Sequence, residues 1–84
     1  LKYTVRLKNK AQASLEKLSS KDLKRIVTEL GKLEINPFLA RAVKLKGVEG
    51  YRIRKRDYRI LYTVDKKKKE IYVYRIKHRR EVYR

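Results

Sequence analysis

Hydrophobic positions along the chain change their spacing twice, and each change marks a boundary between elements. From Lys2 to Leu7 the residues Tyr3, Val5 and Leu7 alternate with polar neighbours, the period-two pattern of a strand with one buried face. Ala11, Leu15 and Leu18 then recur at helical spacing and predict a short first helix, interrupted at Ser19-Ser20. Ser19 followed three residues later by Asp22 resembles a capping box with Asp in place of Glu or Gln, so a second helix is expected to start there. Leu23, Ile26, Val27, Leu30 and Leu33 form its apolar stripe and are expected to be core. Gly31 is expected to weaken the last turn, and Asn36-Pro37 to end the helix. With almost no connector between them, the two helices are expected to lie as an antiparallel hairpin from about Lys8 to Leu33.

From Val43 the period returns to two. Val43–Lys46 reads as a short strand ended by Gly47, and Gly50 permits a turn into a strand over Tyr51–Lys55. A tight turn at Arg56-Asp57 leads to a strand over Tyr58–Asp65, Lys66–Lys69 forms a charged hairpin loop, and Glu70–Lys77 is the last strand. Loops this short force antiparallel neighbours. His78–Arg84 is too short for an independent helix and is expected to rest on the sheet. The order predicts an α+β domain: an N-terminal strand, a helical hairpin, then an antiparallel four-strand meander completing a twisted sheet. Residues 1–84 are expected to be a single domain, since no second core fits in this length.

Charge changes the picture from a fold to a partner. The chain carries 26 Lys and Arg against 9 Asp and Glu, a formal net charge of +17. Residues 43–84 hold 16 basic and 5 acidic side chains, against 10 and 4 in residues 1–42. Heat adaptation enriches Glu alongside Lys, so the imbalance points instead to a polyanionic partner. There is no cysteine, hence no disulfide or thiolate metal site, and one histidine with scattered carboxylates argues against a built-in metal or cofactor. No apolar run approaches the roughly 20 residues that span a bilayer, and no secretory pattern opens the chain, so a cytoplasmic protein without a membrane partner is expected. The absence of Met suggests that the initiator was removed or left out.

The candidate chemistry lies in Tyr51-Arg-Ile-Arg-Lys-Arg-Asp-Tyr-Arg-Ile-Leu-Tyr62. Strand alternation puts Arg52 and Arg54 on one side and Tyr51 and Ile53 on the other, with Arg59 opposite Tyr58 and Ile60 on the next strand. Neighbouring strands thereby present several guanidinium groups to one ligand. Guanidinium forks match phosphate oxygens and tyrosine rings stack on bases, which points to RNA. Most of the tyrosines are better explained as sheet packing, which strands favour. Lys66–Lys69 reads as a solvated loop tip.

At these residues the chain resembles the RelE/ParE superfamily of toxin–antitoxin toxins. The likeness is carried by the element order, Lys44-Leu-Lys-Gly47, Tyr51-Arg-Ile-Arg54, Asp57-Tyr-Arg59 and His78-Arg-Arg-Glu-Val-Tyr83. The last of these is similar to the RelE branch, whose members are ribosome-dependent endoribonucleases held inactive by a cognate antitoxin, whereas ParE-type members act on DNA gyrase. The resemblance implies mRNA and ribosomal RNA as partners and no cofactor. It assigns Arg59 to support of the scissile phosphate, Arg79 to transition-state stabilisation, and Tyr83 to stacking on a base. His78, the one side chain with an ordinary pKa near neutrality, is a candidate proton-transfer group in the same segment. Arg52, Arg54, Lys44, Lys46 and Arg80 are the expected RNA contacts. In the best-known member the positions of Arg52 and Arg54 resemble lysines; arginine is a poor base, so the resemblance leaves the general base unassigned. A gyrase inhibitor and a non-catalytic RNA-binding module remain the alternatives.

Overall fold

A computed structural model of the chain describes residues 2–38, 42–47 and 50–78. The elements run β1 (Thr4–Leu7), α1 (Asn9–Glu16), α2 (Ser20–Ile35), β2 (Val43–Lys44), β3 (Tyr51–Lys55), β4 (Tyr58–Asp65) and β5 (Glu70–His78). They build one five-stranded sheet in the order β1-β5-β4-β3-β2. The β2–β5 meander is antiparallel throughout, as its short turns require. β1 instead pairs parallel to β5, so the sheet is mixed rather than antiparallel. Turn lengths constrain only strands adjacent in sequence; β1 reaches β5 by no turn, and its direction is set by where the helices return the chain.

Ala11 of α1, Ile26, Leu30 and Leu33 of α2, and Ile53, Ile60, Tyr62, Ile71, Val73 and Ile76 of the sheet form the core. Both helices therefore cover the same sheet face. The α2 stripe is two residues narrower than its periodicity suggests: Leu23 is only partly buried and lies outside the core, and Val27 is half-exposed, whereas Glu29 is fully buried. Glu29 receives Lys55 of β3 and Lys32 of its own helix, each at 3.4 Å, which compensates a carboxylate placed among apolar side chains. Ser19 caps α2 by accepting from the Asp22 amide. The Asp22 carboxylate does not reach back to complete a capping box; it accepts from the Tyr58 hydroxyl and from Arg25. Gly31 leaves the helix intact through Ile35, where Asn36 ends it. Tyr62 donates to the carbonyl of Pro37 at 2.6 Å and so pins the segment after α2 to the sheet.

Two departures at the sheet matter for function. β2 ends at Lys44, before Leu45 and Lys46. β5 carries a bulge: Leu61 pairs with Arg75 but Tyr62 pairs with Val73, leaving Tyr74 without a partner on β4. A one-residue insertion reverses the phase of every later side chain. Ile71 and Val73 face the helices before the bulge, and Ile76 faces them after it.

Candidate nucleic-acid interface

The sheet face turned away from the helices is built by alternate residues of β3, β4 and β5. One row across the strands is Arg54, Arg59 and Lys77; the next is Arg52, Leu61 and Arg75. Strands lie about 4.8 Å apart, so each row spans roughly 10 Å. Five of the six positions are cationic, and Leu61 sits among them as a partly buried apolar spot. Like charges directly opposite one another destabilise a sheet. Here Arg54 stands against Arg59, and Arg59 against Lys77. A polyanion laid across the face would neutralise all three.

Toward the β1 edge the same face becomes electrically balanced. Glu70 accepts from the Tyr72 hydroxyl and pairs with Arg6. These two contacts, the tyrosine hydrogen bond first, hold its carboxyl below the usual carboxylate range. The same contacts push the Arg6 guanidinium and the Tyr72 phenol up. Lys8 places its ammonium 5.1 Å from the centre of the Tyr72 ring. On this face, basic side chains without an acidic neighbour in the same row lie on β3, β4 and the second half of β5.

The structure brings Arg52, Arg54 and Arg59 together as expected. It adds Arg75 and Lys77, which the sequence reading missed. From Ile71 onward, strict alternation would turn Arg75 and Lys77 inward and His78 outward; the bulge at Tyr74 inverts all three. His78 accordingly lies on the helix side, its ring 5.0 Å from Tyr58 and nearly perpendicular to it. It is separated from Arg59 by the thickness of the sheet. Lys44 pairs with Tyr51 and so also belongs to the helix side of its edge strand, while Lys46 is exposed in the bend beyond it. Arg79, Arg80 and Tyr83 lie outside the described residues. All four lysines of the hairpin loop are exposed, as expected of a solvated tip, with Lys66 over the Phe38 ring and Lys69 over the Tyr3 ring. Among the described residues, no cluster of three or more His, Asp or Glu could hold a metal ion. No described helix is long and apolar enough to cross a membrane.

Residues 5–83 match the family model described as the ParE toxin of type II toxin–antitoxin systems, parDE. The chain belongs to this toxin family. Solved structures extend the likeness to three dimensions. The toxin–antitoxin complex RelBE2 from Mycobacterium tuberculosis contains a chain similar to this one at 29% identity and a TM-score of 0.84, covering 94% of this chain and 100% of that one. The archaeal RelE–RelB complex from Pyrococcus horikoshii gives 28% identity and a TM-score of 0.83, with 94% and 97% covered. The isolated RelE toxin of E. coli gives 27% identity and 0.80, with 96% and 90% covered. No curated protein matches the chain. In this toxin of a type II system, five basic side chains share the sheet face that its own helices leave open.

Proposed function

We propose that this toxin is a ribosome-dependent mRNA endoribonuclease, restrained by a cognate antitoxin and acting in the cytoplasm. The observation that carries this reading is the pair of cation rows across β3, β4 and β5. Arg59, at the centre of its row, supports the scissile phosphate, with Arg54 and Lys77 on either side. Arg52 and Arg75 hold the adjoining backbone. Arg79 and Tyr83 complete the site in the roles that the superfamily resemblance gives them. Similarity to toxins solved together with RelB antitoxins supports the antitoxin partner.

Cleavage uses the substrate's own 2′-hydroxyl. Its oxygen attacks the adjacent phosphorus, the bond to the 5′ oxygen breaks, and a 2′,3′-cyclic phosphate and a 5′-hydroxyl result. One proton leaves the 2′-oxygen and one reaches the departing 5′ oxygen. The cation rows contribute charge stabilisation at phosphorus, through donors fixed before the reaction begins. Neither row holds a histidine or a carboxylate, and His78 faces the helices. The rate then rests on electrostatics and on positioning of the mRNA on the ribosome, not on a side-chain base in the rows.

Mapping mRNA 5′ ends on translating ribosomes after adding the purified protein tests this directly. The expected result is new 5′ ends on ribosome-bound mRNA and none on the same mRNA alone. Intact mRNA together with loss of DNA supercoiling by gyrase would overturn it.

A further inference from the structure

A cavity of about 780 Å³ opens beside the cation rows, between the start of α1 and the second half of β5. Leu7, Leu61 and Tyr74 form its apolar part, and Lys8, Lys10, Arg75 and Lys77 surround it; no carboxylate is among its described lining residues. It is an open depression, and its volume falls in the range of ligand sites, roughly 300–1,000 Å³.

Three features of the cavity point to a phosphate that carries a ring. Arg75 and Lys77 belong both to the cavity and to the rows, so a strand of RNA held over Arg59 continues into it. Tyr74 is the bulge residue, released from pairing with β4 and lying in the cavity instead. Gly50 lets the Tyr74 hydroxyl pack closely against the start of β3, which fixes the ring, since a Cβ there would sit 3.4 Å from that hydroxyl and 3.0 Å from the Tyr62 carbonyl. Finally, α1 starts at Lys8 with no side-chain cap and no acidic residue in its first turn, where Lys10 stands. Cations at a helix start oppose the helix dipole, so the fold keeps positive charge where helix stability disfavours it.

We propose that this cavity is a subsite for one nucleotide flanking the scissile phosphate. Its phosphate lies against Lys8, Lys10 and the first amides of α1, and its base packs on Tyr74 and Leu61. The inference rests on the endoribonuclease reading above and extends it from the phosphate being cut to the neighbouring nucleotide.

The test is amide and aromatic NMR of the free toxin titrated with adenosine 5′-monophosphate, and separately with inorganic phosphate, at physiological salt. The nucleotide should shift the amides of Asn9–Ala11 and the Tyr74 ring, whereas phosphate should leave the Tyr74 ring unmoved. Lys10→Glu is the informative variant, because an acid in the first turn favours the helix while repelling the ligand. It should melt no lower than the parent, weaken the nucleotide shifts at least tenfold, and slow ribosomal cleavage severalfold. Absent shifts at α1 and Tyr74, equal shifts of Tyr74 with phosphate alone, or unchanged nucleotide binding in Lys10→Glu would each overturn the subsite. If the parent binds the nucleotide as described but cuts no mRNA, the subsite stands as a nucleotide site and the endoribonuclease reading falls.

Discussion

Tyr58 and His78 face one another across β4 and β5 with their rings 5.0 Å apart, edge to face, and Tyr58 donates its hydroxyl to Asp22 on α2 at 3.0 Å. The chain of contacts ties the end of β5 to the first turn of α2. It also gives His78 a structural role. Edge-to-face aromatic pairs contribute about 1 kcal/mol beyond the area they bury. His78→Gln should therefore lower stability by about that amount in urea denaturation, while single-turnover cleavage on ribosomes stays within about twofold of the parent. A pH–rate profile that changes shape between the parent and His78→Gln would return this residue to the reaction.

Arg59 should behave in the opposite way. It stands between Arg54 and Lys77, so removing one guanidinium relieves repulsion within the row while taking away the donor at its centre. Arg59→Ala should leave stability unchanged or slightly raised, and lower single-turnover cleavage by about 100-fold, equivalent to about 3 kcal/mol of lost charge stabilisation. Ribosome binding should weaken much less, because many other cations hold the complex. Arg79→Ala should show a similar loss, and comparing Tyr83→Ala with Tyr83→Phe should separate stacking from any role of the hydroxyl. Lys67→Ala, at the exposed hairpin tip, is the surface-charge control.

What the sequence disclosed follows the reach of its periodicities. The α2 stripe, the Arg56-Asp57 turn and the antiparallel meander are local, and each was legible from spacing and turn residues. The parallel pairing of β1 with β5 was not, because it depends on where two helices deliver the chain. Arg52, Arg54 and Arg59 were legible because β3 and the start of β4 alternate without interruption. Arg75, Lys77 and His78 were not, because the bulge at Tyr74 has no residue signature there: neither glycine nor proline marks it. The buried Glu29 was hidden for a related reason. A carboxylate on a predicted core face reads as a boundary of that face until its partner, Lys55, is brought across from β3.

That pair carries its own prediction. The Glu29 side chain is fully buried, whereas Lys55 and Lys32 are partly exposed and 3.4 Å from the same oxygen. Removing one partner of a buried ion pair leaves charge without compensation and costs about 3–5 kcal/mol; the retained Lys32 argues for the lower end. Lys55→Met should thus destabilise by about 3 kcal/mol in chemical denaturation. The double variant Glu29→Leu with Lys55→Met should recover most of that loss, since an apolar pair of similar volume has no desolvation cost. A double variant no more stable than Lys55→Met would show that the carboxylate has contacts that matter more than this pair.

Tyr62 supplies the pH-dependent test of the fold. Its phenol is pushed up from 10.0 to about 12, first by burial and then by the neighbouring Tyr51, and it donates to the buried Pro37 carbonyl. The folded state therefore holds the phenolic proton more tightly than the unfolded chain does. Its contribution to stability is fully present below pH about 10 and is lost progressively as pH rises toward about 12. Tyr62→Phe keeps the ring but leaves the carbonyl without its donor, which should cost about 2 kcal/mol when measured near pH 8. The variant has no phenol to ionise, so the gap between parent and variant should narrow as the measurement is repeated from about pH 10 upward. A gap that stays constant over that range would mean that the Tyr62 proton is held no more tightly in the folded chain than in the unfolded one.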